Sequence, residues 1–391
     1  MIRFHGYHCE EHLVVTADGY ILLLHRVLPK EGRARHATVE STKSVFPSPA
    51  SSVTGQTFAP PVLLLHGAML SSEIWVCQHA TDKNLAFALL DGGYDVWLAN
   101  RRGTKYSQKH VYYKSSETRF WDYSLDETIM HDVPALTEYI ISVNGHRTIS
   151  LVGFSQGTAE SFGALALNRK LQKRVNCVVG LSATAKPPTP SNSFILSMVH
   201  WSPELVFLVF GRKSMLRSVL FWQRLLSPRA LAWGMDQAMY MLFGWTNRNI
   251  LLHDRPNLYR HIFALSSVKQ IVHWFQIMRA GRFQMFDDSP SKSHIVPEYP
   301  LCNIQTPGIV FLGGEDCLID EQFVVENLLT ATVHKMPGYE HMDTIWAHDA
   351  NILVFPHILE FLQQHAPHHS SKVGRAEPSQ LAWPPLSINA S

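Results

Sequence analysis

The sequence predicts an α/β fold built on a mostly parallel, doubly wound sheet, with a helical segment inserted between two late strands. Short apolar stretches alternate with helical patterns through residues 62–181, as a parallel sheet with crossover helices requires. The alternation stops near residue 185 and resumes near residue 308. The chain has 391 residues, 46% of them hydrophobic and 17% charged. This is enough for one large core and too apolar for a disordered chain.

The N-terminal part predicts a β-hairpin followed by a loop. Residues 14–15 and 20–27 are apolar stretches joined by a turn that contains Asp18 and Gly19, and an Asp-Gly pair readily adopts the positive φ angles of a tight turn. We expect this hairpin to form the antiparallel edge of the sheet. Residues 30–61 are rich in Ser, Thr, Pro, Gly and Arg without strand or helix periodicity, which predicts a mobile surface loop.

The parallel part of the sheet is predicted from four apolar stretches, at residues 62–65, 95–99, 148–152 and 176–181. Helices are expected near residues 84–90 and 125–143. The second helix begins with Ser124 and Glu127 at the spacing of a capping box, and Gly145 ends it.

Residues 186–299 predict a helical cap inserted into the sheet. Helical stretches at 216–226 and 268–278 are separated by Pro and Gly, and many of the tryptophans and phenylalanines lie here. These aromatic residues either line a large apolar pocket or pack the core of the cap itself. Residues 194–210 are the nearest approach to a membrane-spanning segment, but His200, Pro203 and Glu204 favour a surface that contacts lipid or closes over a pocket.

The predicted domain organisation has four parts. Residues 1–185 form the first part of the core, 186–299 the cap, and 300–365 the second part of the core, with strands at 308–312 and 331–336 and helix 350–365. Residues 366–391 are rich in Pro, Ser and His and are expected to form a disordered tail.

Residues 153–157, with the sequence GFSQG, fit the GxSxG pattern of a nucleophile elbow centred on Ser155. In this motif the serine lies on a sharp strand-to-helix turn, and a Cβ at either glycine would collide across that turn. The pattern alone is weak evidence for a nucleophile elbow. The apolar strand predicted before it and the small-residue helix predicted after it strengthen that interpretation. A serine hydroxyl also needs a base and a group that orients the base.

Later strand ends provide candidates for both groups. Asp316 follows the strand at 308–312, and we favour it as the acid, with Glu315 and Asp320 as alternatives that could instead be turn or helix-start carboxylates. His341 lies in the loop after the last strand and just before a helix. In hydrolases whose serine lies on such an elbow, the triad residues follow one another along the chain as serine, acid and histidine, and these three residues have that order.

Ester hydrolysis by such a triad also requires two backbone N–H groups that bind the oxyanion. One is expected from Gln156, the residue after the serine, and the other from Ala68 in the turn after the strand at 62–65, with Met69 as the alternative. We expect His66 to pack or to orient this turn rather than to act as the base.

The composition argues against several other kinds of protein and site. The formal net charge is +2, which gives no indication of nucleic-acid binding. The five cysteines are scattered without zinc-type spacing, so we expect no disulfide framework, a reducing compartment, and no metal or organic cofactor. The N-terminus contains no apolar stretch of signal-peptide length, so we expect either an intracellular protein or a further segment upstream of this sequence.

Several longer motifs together are more specific than the elbow. They are DGYIL at 18–22, GYDVWL at 93–98, GFSQGT at 153–158 and YEHMD at 339–343. By these motifs the chain resembles the acid lipase family of α/β-hydrolases, which includes gastric and lysosomal acid lipases. Phe154, which replaces the histidine usual in the animal enzymes, and the stretches 210–214 and 272–279 resemble the fungal steryl ester hydrolases of this family.

The resemblance implies an α/β-hydrolase fold and a triad of Ser155, Asp316 and His341. It implies lipid esters as substrates, with steryl esters first and triacylglycerols second, and association with lipid droplets or a membrane surface. The chain departs from the family at Ala68, where a leucine is usual, and the hydrophobic N-terminal anchor of several fungal relatives does not occur in it.

Two alternatives from other classes remain at this point. The chain could be a catalytically silent protein that binds lipid in the same fold. It could also use the same triad as an acyltransferase or a peptidase.

Overall fold

The computed structural model describes residues 1–30, 59–215, 223, 225–288 and 295–366, and every structural statement below concerns these residues. The predicted mobile loop at 30–61, the predicted helix at 216–226 and the predicted tail at 366–391 lie almost entirely outside the described residues.

One sheet forms the centre of the molecule. Among the described residues its nine strands are β1 (His8–Val15), β2 (Tyr20–Leu28), β3 (Pro61–Leu65), β4 (Asp95–Ala99), β5 (Lys109–His110), β6 (Ile149–Phe154), β7 (Val175–Leu181), β8 (Gly308–Gly313) and β9 (Ala331–Met336). The strand order is β1-β2-β4-β3-β6-β7-β8-β9, and β5 pairs with β2. The pairs from β4 to β9 are parallel, whereas β1, β2 and β5 pair antiparallel.

The predicted hairpin is therefore the antiparallel edge of the sheet, and Gly19 has a φ of 94° in its turn. The first strand is longer than the sequence indicates, because residues 8–13 pair with β2 although none of them is buried: three are half-buried and three are exposed. The six predicted parallel strands are confirmed to within two residues at each end.

The helices of the first half are α1 (Leu85–Asp91), α2 (Leu125–Glu127), α3 (Val133–Asn144), α4 (Gln156–Leu167) and α5 (Arg169–Gln172). Between β7 and β8 lie α6 (Ser193–Val199), α7 (Pro203–Phe210), α8 (Pro228–Phe243), α9 (Arg255–Leu258) and α10 (Val268–Ala280). The last four are α11 (Glu321–Asn327), α12 (Asp343–Trp346), α13 (Ala350–Leu353) and α14 (Phe355–His365). Short 3-10 turns span Ile2–His5, Ser72–Trp75, Thr81–Lys83, Thr118–Trp121, Tyr259–His261 and Leu301–Asn303.

The helix expected at 125–143 is interrupted. The predicted capping box is present, because the Ser124 hydroxyl accepts a hydrogen bond from the Asp126 amide and the Glu127 carboxylate accepts one from the Ser124 amide. A π-helical turn, Thr128–Asp132, separates α2 from α3. Gly145 then ends α3 with a φ of 81°, as expected.

The core lies on both faces of the sheet. Alternate residues of β3 point to opposite sides: Val62 and Leu64 belong to one buried cluster, and Leu63 and Leu65 belong to the other. Helices α1 and α14 cover the first face, whereas α3 and α4 cover the second. The carboxyl ends of the parallel strands meet at one edge, where the loops described below converge.

The segment between β7 and β8, residues 182–307, is called the insertion here. Its helices α6, α7 and α10 share a small core that includes Val199, Val206 and Phe275. Most of its described aromatic residues are buried or half-buried, whereas Trp233 is 69% exposed. In the described part of the chain no single helix is long and apolar enough to cross a membrane. The pair α6 and α7, bent by 113°, meets the test of length and composition only when taken together.

Candidate active site

Ser155 lies in the turn between β6 and α4 with a φ of 52° and a ψ of −119°. A non-glycine residue rarely adopts a positive φ, so the strained turn expected from the GxSxG pattern is present. A Cβ at Gly153 would lie 2.6 Å from the backbone of Gly157, and one at Gly157 would collide with the Leu65 carbonyl. Glycine is therefore required at both positions, because neither backbone can move aside.

Asp316 lies in the turn after β8 and contacts His341. One of its carboxylate oxygens, Oδ2, lies 2.6 Å from the His341 Nδ1, and the other accepts a hydrogen bond from the Leu318 amide at 3.0 Å. The two alternative acids lie elsewhere: Glu315 is half-exposed and pairs with Arg248, and Asp320 caps α11 and pairs with Lys186.

The other ring nitrogen of His341 reaches the serine. The distance from Nε2 to the Ser155 hydroxyl is 2.8 Å, and 186 positions in the sequence separate the two residues. Ser155, Asp316 and His341 are each less than a tenth exposed. The structure thus brings together the three residues that the sequence predicted.

Residues outside the predicted triad hold His341 in place. The Ser182 hydroxyl donates a hydrogen bond to the His341 carbonyl at 2.5 Å and contacts the Thr344 hydroxyl at 2.9 Å. Ser182 follows β7 with a φ of 47°, a second strained position at this edge of the sheet. The rings of Trp245 and Phe154 lie against the imidazole, each 5.3 Å from it between centroids.

The insertion binds the loop that carries His341. The Glu340 carboxylate accepts hydrogen bonds from the backbone amides of Thr246 and Asn247, at 2.8 and 2.7 Å. Asp343 accepts hydrogen bonds from the Glu340 amide and the Asn249 side chain. Burial raises the pKa of Asp343 to about 6, and the nearby Glu340 carboxylate adds to that rise. No local sequence signal identifies these contacts.

One predicted oxyanion donor, Gln156, directly follows Ser155, and the turn that carries the other, Ala68, approaches the serine. Gln156 is the first residue of α4, where a helix leaves its backbone N–H without an intrahelical partner. The turn after β3 contacts the serine, since a Cβ at Gly67 would lie 3.1 Å from the Ser155 Cβ. The alternative donor Met69 has a φ of 52°, and its carbonyl accepts a hydrogen bond from the Ala264 amide at 2.6 Å.

His66 is buried and does not contact the serine. Its Nε2 accepts a hydrogen bond from the Arg101 amide at 3.1 Å, so Nδ1 carries the proton and donates it to the Gly67 carbonyl at 2.9 Å. Burial lowers the pKa of His66 well below its ordinary value, so the ring is neutral at physiological pH. These contacts support the predicted turn-orienting role.

The five cysteines are free. Within the described ranges, no group of three or more His, Cys, Asp or Glu side chains is arranged to hold a metal ion. The chemical groups at the site are a hydroxyl, an imidazole and a carboxylate in line. The imidazole can take the proton of the hydroxyl while the carboxylate holds the ring.

A parallel sheet with a serine at the strand-to-helix turn and a following acid and histidine defines the α/β-hydrolase class. A sequence model described as the alpha/beta hydrolase fold matches residues 60–348, and one described as a partial alpha/beta-hydrolase lipase region matches residues 1–79. The chain belongs to the α/β-hydrolase family, in its acid lipase-like group.

Similar proteins cover nearly the whole chain. A probable lipase of Schizosaccharomyces pombe is 36% identical over 92% of this chain and 78% of its own length. Human gastric triacylglycerol lipase is 31% identical over 93% of this chain and 90% of its own length. A crystal structure of a Sulfolobus solfataricus protein is similar in fold alone, with a TM-score of 0.58 and 14% identity over 88% of this chain and 90% of that chain.

Proposed function

We propose that this protein is a serine hydrolase that cleaves the carboxylic esters of lipids, with steryl esters as its main substrates and triacylglycerols as further ones. The observation that carries the proposal is the pair of contacts of His341, at 2.8 Å to the Ser155 hydroxyl and 2.6 Å to the Asp316 carboxylate. The names of the lipases to which the chain is similar support lipid esters as the substrate class.

The proposed reaction has two steps. In the first, His341 takes the Ser155 proton while the serine oxygen attacks the ester carbonyl, and it then gives that proton to the departing alcohol. This leaves an acyl group on Ser155. In the second step a water, activated by His341, attacks the acyl-enzyme and releases the fatty acid. Asp316 holds the ring and stabilises its charged form, and the Ala68 and Gln156 amides bind the oxyanion in both steps.

Steryl esters as the main substrates are supported by the stretches at 210–214 and 272–279, which resemble the fungal steryl ester hydrolases. Part of the second stretch is buried in α10, and its Trp274 donates a hydrogen bond to the Gln156 side chain at 2.9 Å. The insertion therefore contacts a residue of the elbow, so its shape can affect which alcohol group fits beside Ser155.

The test is a substrate panel on the purified protein and on Ser155→Ala. We expect release of fatty acid from cholesteryl oleate and triolein, and fluorophosphonate labelling at Ser155. The variant should stay folded, remain unlabelled and lose several orders of magnitude in turnover. A wild-type protein that is not labelled would support a silent lipid-binding protein. Cleavage of peptides without cleavage of any ester would remove the ester assignment.

We further propose that the insertion rests on a lipid surface. Phe194 on α6 and Met241 on α8 are 60% and 71% exposed. The helix ends that carry them are in contact, because Asn192, the N-cap of α6, donates a hydrogen bond to the Met241 carbonyl at 2.5 Å. Leu208 and Val209 on α7 add 81% and 55% exposed side chains. Exposed apolar groups on a helical segment favour contact with lipid.

This surface can be tested by flotation with phosphatidylcholine vesicles that contain cholesteryl oleate. The double variant Phe194→Ser with Met241→Ser should bind these vesicles less than the wild type, while its hydrolysis of soluble p-nitrophenyl butyrate stays the same. Tyr112→Ser is the matched control, because Tyr112 is 83% exposed on a different loop. Equal flotation of the wild type and both variants would contradict the proposed surface.

A further inference from the structure

A buried chain of polar side chains starts at the elbow and is not used by the triad. The Gln156 side chain donates a hydrogen bond to the Glu160 Oε1 at 2.8 Å, one helical turn along α4. The Arg101 Nε lies 2.7 Å from the same oxygen. Its N–H is not directed at that oxygen, so the contact is an ion pair. Arg101 and Glu160 are 6% and 2% exposed.

The guanidinium of Arg101 also holds the backbone of the turn after β3. Its Nη1 donates to the Gly67 carbonyl at 3.1 Å, and its Nη2 donates to the His66 carbonyl at 2.5 Å. Because the His66 ring donates to the Gly67 carbonyl as well, that oxygen accepts two hydrogen bonds. The Gly67 carbonyl is therefore fixed in direction from two sides.

Fixing this carbonyl also fixes the next amide. The structure contains no cis peptide bond in its described part, and in a planar trans peptide the C=O and the following N–H point in opposite directions. The N–H of Ala68 therefore points away from Arg101. This N–H makes no hydrogen bond to another described residue, and the turn that carries it lies against Ser155.

The charge of Glu160 completes the arrangement. A guanidinium that binds two carbonyls in a buried site needs a nearby negative charge, because an unpaired buried charge is strongly destabilising. Burial raises the pKa of the Glu160 carboxyl, and the Arg101 guanidinium and the Gln156 amide act against that rise. Glu160 thus links the helix that begins with Gln156 to the turn that carries Ala68.

We propose that Arg101 and Glu160 are positioning residues that hold the Ala68 and Gln156 N–H groups at a fixed separation, so that both reach one oxyanion. The inference rests on the proposed function, since it assigns these two amides to the oxyanion site. Donors held in place before the reaction stabilise the transition state without a reorganisation cost, and a displacement of about 1 Å lowers the rate by about 100-fold.

The test is Arg101→Met, assayed with p-nitrophenyl butyrate. We expect kcat to fall at least 10-fold with KM unchanged within about twofold, because the amides bind the oxyanion and not the ground-state ester. Fluorophosphonate should still label Ser155, at a lower rate. If the wild type is neither active nor labelled, the proposed function fails. If the wild type is active and the variant keeps more than a tenth of its kcat, only this inference is overturned.

A double variant distinguishes a role of the Arg101–Glu160 pair in positioning the amides from a role in the stability of the fold alone. Arg101→Met leaves Glu160 buried without its partner and should lower the Tm, whereas Arg101→Met with Glu160→Met removes both charges and should recover much of it. We expect kcat to stay low in the double variant. Recovery of kcat together with the Tm would mean that the pair only stabilises the fold, and would overturn the inference.

Arg102→Met is the matched control. Arg102 is equally buried and adjacent in the chain, but its guanidinium pairs with the carboxylates of Asp18 and Asp132 instead of the turn after β3. This variant should lower the Tm while kcat changes less than about threefold. A loss of kcat as large as that of Arg101→Met would show that any buried arginine in this loop has the same effect, and would also overturn the inference.

Discussion

The indole ring of Trp245 lies parallel to the imidazole of His341, with 5.3 Å between the centroids and 3° between the planes. Trp245 belongs to the insertion, and the next two residues donate hydrogen bonds to Glu340, which directly precedes the histidine. The insertion therefore helps to orient the proposed base.

Replacing Trp245 should lower the turnover. Trp245→Leu removes a flat ring that limits the rotation of His341, so we expect kcat for p-nitrophenyl butyrate to fall about 10-fold through loss of orientation. Trp245→Phe keeps a flat ring and should retain most of the activity. Equal activity of the leucine variant and the wild type, with both folded by circular dichroism, would contradict this role.

The acid of the triad can be tested against its alternative. Asp316→Asn should lower kcat by about 10⁴-fold, because an amide at this position favours the wrong tautomer of His341. Asp320→Asn is the matched control: Asp320 caps α11 and pairs with Lys186, so its replacement should affect stability and leave kcat within about threefold. The opposite pattern of losses would identify Asp320 as the acid.

Asp343 should give the stability a pH dependence. Burial raises its pKa to about 6, above the ordinary 3.8, so between pH 4 and pH 6 the folded chain binds more protons than the unfolded chain. Its contribution to stability is complete below about pH 4 and is lost as the pH rises through 6, by at most about 3 kcal/mol.

The variant Asp343→Asn carries no charge and keeps an oxygen that can accept from the Glu340 amide and the Asn249 side chain. The Tm of this variant, measured relative to the wild type, should therefore increase between pH 4 and pH 7. A difference in Tm that stays constant over this range would contradict the raised pKa of Asp343.

Replacement of glycine by alanine should change the stability of the fold in opposite directions at two positions. Gly157→Ala places a Cβ against the Leu65 carbonyl at the crossing of α4 and β3, and should destabilise the fold by about 3 kcal/mol or more. Gly234 lies within α8 with no atom within 4 Å of an added Cβ, so Gly234→Ala should stabilise by up to about 1 kcal/mol. Urea unfolding of both variants tests this, and similar effects at the two positions would contradict it.

Much of the fold was predictable because its signals are local. Most of the parallel strands are short apolar runs, and the helices between them carry their own start and stop residues, as Ser124 and Gly145 show. The π-helical turn at Thr128–Asp132 was not predicted, since the local sequence reads as a continuous helix. The full length of β1 was also missed, because an edge strand with half-exposed residues has a weak apolar pattern.

The candidate triad was predictable for a related reason. Once the strands were located, the order of serine, acid and histidine after successive strand ends limited the choice to a few residues, and the family motifs agreed with it. Asp316 and its alternatives Glu315 and Asp320 lie within five residues of one another, so spacing alone did not separate them. The direction of one carboxylate toward the imidazole distinguishes them in the structure.

The sequence by itself determined the α/β class, the position of the nucleophile elbow and the short list of partners for Ser155, because strand, turn and capping preferences act over a few residues. Only the tertiary structure decided that Trp245 stacks on His341 and that Arg101 joins the turn after β3 to Glu160 on α4. Such contacts join side chains that lie tens of residues apart, and packing and buried charge, which select them, are properties of the assembled fold.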